Sequence, residues 1–387
     1  MKRLLAFAAL LPIAACSGIE SLNERAIRTT AAETFTRTDV PGASVLFSPL
    51  DASTAARTPH VRGRRHGARF CVGSDRGDEA VATMRALAPD SIVAMQPRPG
   101  SSAVPRDFSR ALNLAAASVI LDNDLDRAEA AVAALRRHAE AGAWVSPTPN
   151  WSMASATIEA LPPALTAWQI LRQTAAASDE DRAAIDAWLA SVSAVGDVHP
   201  AANHVGSIRA ANRLMLGGML GDQNMIDAGV ADWRNQIDAI AADGSFPLEA
   251  DRGRNALIHT ARNIAFLIHG AEIAASMGVD LYGYRSKSGR SLDDAIAFML
   301  DADEDNALID VHARANRRPG SDAPDFRPGA QNSPWNGAYS GTALYYLNRF
   351  PDKPTARKLR EKVAMWSRLS ADATGGMMSC WVGFDRP

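Results

Sequence analysis

The chain has 387 residues, of which 47% are hydrophobic, and its formal net charge is −2. This length suits one large domain or two modest ones. The nearly balanced charge excludes a chain-wide attraction to nucleic acid, so an anionic partner would have to meet a local basic patch.

The first residues have the pattern of an export signal. Lys2 and Arg3 are followed by an apolar run that is too short to span a bilayer. The run ends in Ile13-Ala14-Ala15-Cys16, which is the small-residue-then-cysteine pattern of a bacterial lipobox. An ordinary cleaved signal with an incidental cysteine is the alternative. We predict a signal peptide over residues 1–15, lipidation of Cys16 and a tether over residues 16–40.

Lipidation would anchor the protein in a membrane facing the periplasm, and Ser17 after the cysteine favours the outer membrane. Two further cysteines, Cys71 and Cys380, remain in the mature chain. Because the periplasm is oxidising, we predict a disulfide between them, which would bring the two ends of the chain close together.

Residues 55–70 are basic, punctuated by glycine and poor in apolar side chains. The segment is either a solvated run of charge or a lid over a cleft. As a lid, Arg64 and Arg65 would contact an anionic polymer.

From about residue 76 the chain is mostly helical in pattern, with alanine-rich segments and short separators. Ser178 is a predicted helix N-cap, because acidic residues follow it in the first turn. Successive antiparallel hairpins of this kind predict an all-α toroid or layered bundle over residues 41–387, interrupted by a long Pro/Gly/Arg-rich loop at 303–335. The predicted helices span roughly residues 76–89, 107–121, 125–142, 151–174, 179–195, 203–220, 223–241, 252–277, 289–302, 336–349 and 354–370.

Asn203 and His204 are adjacent at the predicted start of a helix. A side-chain amide and an imidazole at a helix N-terminus can both donate to an anion, helped by the helix dipole. The alternative is that Asn203 is a simple N-cap and His204 a surface residue.

Arg252 and His259 are seven residues apart in a predicted helix. Seven residues make two turns, so both side chains would lie on one face, about 10 Å apart along the axis. The alternative is a solvated arginine and a core histidine.

Together, the two pairs fit one reaction, the breakage of a 4-linked uronic acid polymer by β-elimination. The C5 carboxylate must be neutralised so that its neighbouring C–H becomes acidic. A base must then take that proton, and an acid must protonate the departing O4. Arginine and asparagine suit the first task, and histidine or tyrosine the others.

Three motifs carry a resemblance to a known family: "NH" at 203–204, "NQIDAIAADGSFPLEADRGRNAL" at 235–257 and "DLYGY" at 280–284. Over residues 140–300 the sequence resembles the alginate (polymannuronate) lyases, a family of polysaccharide lyases. The resemblance implies an incomplete (α/α) toroid of antiparallel helical hairpins. It also implies that Asn203, His204 and Arg252 match the family's catalytic asparagine, histidine and arginine.

His259 stands where the family has a catalytic tyrosine, and the family's Ser-Tyr-Trp after the first motif is Val205-Gly206-Ser207 here. An imidazole can take the C5 proton and pass it to O4 when both lie on one face of the sugar, as they do in mannuronate and glucuronate. The resemblance therefore implies a lyase for a polymer containing one of these sugars. No cofactor or metal ligand motif is recognised, and none is predicted.

Two other functions stay open. One is a glycoside hydrolase with a carboxylate pair drawn from Asp75, Glu159, Asp243, Glu249 and Asp251. The other is a lipoprotein that binds polysaccharide without cutting it. For any sugar ligand, the aromatic residues predicted to contact the chain are Trp151, Trp335 and Tyr339.

Overall fold

A computed structural model describes residues 74–86, 103–122, 124–145, 151–197, 203–316, 326–335, 339–364, 371 and 373–375, all within the compact unit Phe35–Pro387. These ranges contain helices and no β-strand. The α-helices are α1 (Ser74–Ala86), α2 (Ala103–Asp122), α3 (Leu125–Glu140), α4 (Trp151–Leu171), α5 (Asp179–Gly196), α6 (His204–Leu220), α7 (Gln223–Asp238), α8 (Pro247–Ala250), α9 (Ala256–Ser276), α10 (Leu292–Glu304), α11 (Ala307–Ala313), α12 (Ala343–Arg349) and α13 (Pro354–Ala364).

The helices pack in two layers. One layer is formed by α2, α4, α6 and α9, each of which packs against the next. In the other layer, α3 packs between α1 and α5, and α7 packs on α6. The first layer is buried nearly all round, as in α9, where every residue from Asn263 to Ala275 is buried. This alternation of buried and outer helices is the order of an (α/α) toroid.

Local sequence explains where several helices begin and end. Ser178 is the N-cap of α5 and forms a capping box with Asp181, which confirms the predicted cap. Asp222 is the N-cap of α7, and its side chain accepts a hydrogen bond from the backbone N–H of Met225. Between these two helices, α6 ends at Gly221, whose φ of 66° is left-handed and suits glycine.

The predicted helix over residues 252–277 is wrong at its start. Pro247 opens the short helix α8, and Arg252 follows it in a turn with φ −100° and ψ 38°. Gly253 has a left-handed φ of 54°, and a 3-10 turn over Gly253–Asn255 leads into α9 at Ala256. Arg252 and His259 therefore do not share one helix face, because Arg252 lies in the turn between α8 and α9, and glycine at a positive φ keeps that turn from continuing as helix.

The segment from 303 to 349 also differs from prediction. The predicted loop contains the end of α10 and all of α11. The predicted helix over 336–349 is shorter, since a 3-10 turn at Ser340–Thr342 precedes α12.

Several predictions lie outside the described residues. They concern the signal peptide, the tether, lipidated Cys16, Arg64, Arg65, Cys71 and Cys380, and also the side chains of Trp151 and Asp75. Within the described helices, none combines the length and apolar character needed to cross a bilayer.

Candidate active site

Glu249, on α8, is the centre of a buried cluster of charged and imidazole groups. Its side chain is 1% exposed. The backbone N–H of His204 donates to Glu249 Oε1 at 2.6 Å, and His204 Nδ1 lies 3.1 Å from the same oxygen and 3.3 Å from Oε2. Glu249 therefore holds both the first residue of α6 and its ring.

Arg252 and His259 reach the same carboxylate from the other side. Arg252 Nε lies 3.2 Å from Glu249 Oε2 and also donates to the carbonyl of Leu248. His259 Nδ1 is 3.7 Å from Glu249 Oε2, and the rings of His204 and His259 have centroids 5.3 Å apart. The loop and the helix that follow α8 thus bring three of the four predicted catalytic residues together, although by a route other than a shared helix face.

Asn203, the fourth residue, is the N-cap of α6. Its Oδ1 accepts a hydrogen bond from the backbone N–H of Val205 at 3.1 Å. The cap occupies the amide oxygen, so the amide NH₂ is the part of Asn203 that can donate to an anion.

The pKa values of the ionisable groups in this cluster are shifted, so that the carboxylate is charged and the imidazoles are neutral. Burial by itself would raise the pKa of Glu249, but His204, Arg252 and His259 lower it to about 2. Burial is the main cause that lowers the pKa of His259 to about 3. Glu249 opposes this shift, and His204, Arg252 and Arg262 add to it. Burial likewise lowers the pKa of His204. At neutral pH the cluster therefore consists of one carboxylate, one guanidinium and two neutral imidazoles.

The same arrangement has the donors of a metal site. One ligand atom each from His204, Glu249 and His259 lies within 4.8 Å of the others. Two neutral imidazoles and an ionised carboxylate are forms that bind zinc and related ions. No short metal-binding motif marks this site in the sequence, because Glu249 is 45 residues from His204 in the chain.

Glu249 is the central residue that sequence reasoning undervalued, since it appeared only among five candidate carboxylates for hydrolysis. Its position three residues before Arg252 was the available signal. Two of the other candidate carboxylates bind partners outside this cluster. Asp243 Oδ2 is 2.8 Å from His312 Nε2, and Glu159 pairs with Arg262.

The predicted aromatic contacts differ in accessibility. Trp335 is 7% exposed, and its Nε1 donates to Asp303 Oδ2 at 2.8 Å, so its burial in the core argues against stacking on a sugar. Tyr339 is half-buried, and the guanidinium of Arg262 lies 5.9 Å from its ring centroid. Of these two aromatics, only Tyr339 stands beside the charged cluster.

Comparison with known proteins bears on this cluster. Residues 144–308 match the family model described as Alginate lyase, and this range contains Asn203, His204, Glu249, Arg252 and His259. The chain resembles the alginate lyases. The resemblance predicted from the sequence is thereby confirmed.

Solved structures show the same fold. Alginate lyase A1-III from Sphingomonas species A1 matches with a TM-score of 0.66 and 18% identity, covering 90% of this chain and 98% of that one. A histidine-to-alanine variant of A1-III complexed with tetrasaccharide matches with a TM-score of 0.65 and 18% identity, covering 76% and 79%. An alginate lyase from Bacteroides ovatus matches with a TM-score of 0.62 and 14% identity, covering 89% and 100%.

These matches confirm the predicted all-α toroid. No curated protein matches the chain.

Proposed function

We propose that the protein is a polysaccharide lyase that cleaves a 4-linked uronic acid polymer by β-elimination, leaving an unsaturated uronate end. The observation that carries the proposal is the cluster around Glu249, in which a guanidinium and two neutral imidazoles surround one buried carboxylate. A cation for the substrate carboxylate and a base for its C5 proton are thereby available in one place.

Arg252 neutralises the C5 carboxylate in this scheme. Its Nε is used by Glu249 and Leu248, so the substrate would bind the terminal nitrogens of the guanidinium, which present two parallel donors. Neutralising the carboxylate makes the C5–H bond more acidic, because the negative charge that develops beside it is stabilised. The amide NH₂ of Asn203 is a second donor for the same group.

His259 is the proton carrier. Its lowered pKa keeps it neutral, and its Nδ1 has no hydrogen-bond partner among the described residues. The imidazole takes the C5 proton, the C4=C5 double bond forms, and the C4–O4 bond breaks. The imidazolium then gives its proton to O4, and Glu249 at 3.7 Å stabilises the positive charge in between.

His204 lies beside His259, and its Nδ1 is already used in the contact with Glu249. Binding a substrate carboxylate adds negative charge next to both imidazoles and so raises their pKa values. A protonated His204 would then donate to the substrate carboxylate and assist Arg252.

Substrate and location are part of the same proposal. Because one histidine serves as base and then as acid, H5 and O4 must lie on one face of the ring, which favours mannuronate or glucuronate over guluronate. An anionic polysaccharide partner is supported by the tetrasaccharide in the related A1-III structure.

The lipobox ending in Cys16 supports a lipid anchor in the periplasm, at the outer membrane.

Hydrolysis by a carboxylate pair fits the cluster less well. A glycoside hydrolase needs one carboxyl group that stays protonated to act as the acid. Glu249 has its pKa lowered to about 2 and is ionised at neutral pH. The carboxylate at the centre of the cluster therefore cannot supply that proton.

The test uses the chain from Ser17 onward, which lacks the lipid anchor, with polymannuronate, polyguluronate and glucuronan supplied separately. Ultraviolet absorbance follows the unsaturated uronate, and His259→Ala is assayed alongside. We expect absorbance to rise with polymannuronate or glucuronan and to be lost in the variant. Binding of a polymer without any rise in absorbance would replace the lyase by a polysaccharide-binding lipoprotein.

A further inference from the structure

Arg262 is a second, partly buried cation beside the cluster, and the proposed elimination leaves it unused. It follows His259 by three residues on α9, so the two side chains lie on one face of the helix. Its Nη2 lies 2.7 Å from Glu159 Oε1, on α4, and its guanidinium is 5.9 Å from the ring centroid of Tyr339. Three residues from three separate segments thus meet next to His259.

The charge of Arg262 acts on the cluster. It lowers the pKa values of both His204 and His259, after the larger effect of burial. Burial would lower the pKa of Arg262 itself, but Glu159, Tyr339 and Glu249 raise it, so the guanidinium stays charged. Arg262 is therefore a permanent positive charge close to where the substrate carboxylate would bind.

The ion pair between Arg262 and Glu159 is partly accessible, so Arg262 can exchange Glu159 for another carboxylate. The side chain of Arg262 is 14% exposed and that of Glu159 is 28% exposed, so the carboxylate is the more accessible member. Arg262 Nε is buried and has no hydrogen-bond partner among the described residues. One donor of the guanidinium is thus unused while Glu159 is bound.

A polyuronate carries a carboxylate on every sugar, but the elimination uses only one of them. We infer that Arg262 binds the carboxylate of a neighbouring sugar, which displaces Glu159 from the guanidinium. Tyr339 packs its ring beside that sugar. Glu159 holds Arg262 in place when no polymer is bound and competes with the substrate. This inference rests on the proposed polyuronate substrate but not on the elimination step.

The experiment measures binding rather than turnover, so that it stands even if no lyase activity is found. Three variants are made in the His259→Ala background, in which the substrate is not consumed: Arg262→Met, Glu159→Gln and the double variant. Calorimetry measures their affinity for mannuronate and glucuronate tetrasaccharides and for the corresponding neutral mannose and glucose tetrasaccharides. Thermal unfolding checks the fold.

Arg262→Met should weaken binding of the acidic sugar about 10-fold or more, the value of a hydrogen bond to a charged group, and leave the neutral sugar unchanged. Glu159→Gln should tighten binding of the acidic sugar, because the competitor is lost. The double variant should bind as weakly as Arg262→Met. Equal weakening by all three variants would mean that the pair only braces the fold, and unchanged affinity in all of them would also overturn the inference.

The outcomes separate this subsite from the proposed function. If no uronate oligosaccharide binds in any variant or in the parent chain, the polyuronate substrate is wrong, and the subsite is wrong with it. If the acidic sugar binds in the parent chain and the Arg262 variants do not differ from it, only the subsite is wrong.

Discussion

His204 binds Glu249 through both its backbone and its side chain. The backbone N–H lies 2.6 Å from Glu249 Oε1, and Nδ1 lies 3.1 Å from the same atom. Because Glu249 is ionised, the ring bond requires a proton on Nδ1, and in the neutral imidazole Nε2 then carries the lone pair. The tautomer of His204 and the start of α6 are thus fixed by one carboxylate.

Replacing Glu249 by glutamine tests this dependence. Glu249→Gln keeps the shape and one oxygen acceptor but removes the charge that stabilises an imidazolium in the cluster. We expect kcat to fall on the order of 10²-fold, within the range that acid–base assistance supplies, with a smaller change in KM. Asp243→Asn is the matched control, because Asp243 pairs with His312 away from the cluster. Equal losses of kcat in both variants would contradict a specific role for Glu249.

The identity of residue 259 gives a second prediction. His259→Ala removes the proton carrier and should abolish measurable elimination. His259→Tyr introduces the residue type that the alginate lyases have at this position, and we expect it to restore part of the activity. Absorbance assays on the preferred polymer measure both variants. Full activity in His259→Ala would instead assign the proton to His204, whose ring is the neighbouring imidazole.

The pH dependence follows from the lowered pKa of His259, which burial brings to about 3 in the free protein. The base form is then present from neutral pH down to well below 6.5, so kcat/KM should fall only in distinctly acidic solution. Substrate carboxylate adds negative charge and raises this pKa in the complex. The acidic limb of kcat should therefore lie at higher pH than that of kcat/KM. Coincident limbs near pH 6.5 would show that His259 titrates like a solvated histidine.

Sequence reasoning found much of the fold because the helices follow local rules. The cap at Ser178 and the helix α6 from His204 to Leu220 depend on residues adjacent in the chain. The relation of Arg252 to His259 was misjudged, because a left-handed Gly253 interrupts a pattern that otherwise continues. The sequence placed Glu249 only near Arg252. Its contact with His204 could not be predicted, because the two residues are 45 positions apart in the chain and only the fold brings them together.

His269 gives a prediction about stability. It is 1% exposed on α9, its Nδ1 has no hydrogen-bond partner among the described residues, and burial lowers its pKa to about 3. In the unfolded chain its pKa is near 6.5, so the unfolded state takes up a proton as the pH falls below that value while the folded state does not. The stability that His269 contributes is therefore present above pH 6.5 and is lost progressively toward pH 3.

His269→Leu should remove the part of the acid-induced loss of unfolding free energy that is due to His269. Between pH 7 and pH 5 one such histidine costs about 2 kcal/mol of unfolding free energy. His204 and His259 also have lowered pKa values, so the variant should still lose stability in acid, but with a shallower slope. Urea denaturation at the two pH values measures the difference within each protein, which removes any packing effect of leucine that is independent of pH. Parallel pH dependences for the variant and the parent chain would show that His269 becomes protonated in the folded state as readily as in the unfolded one.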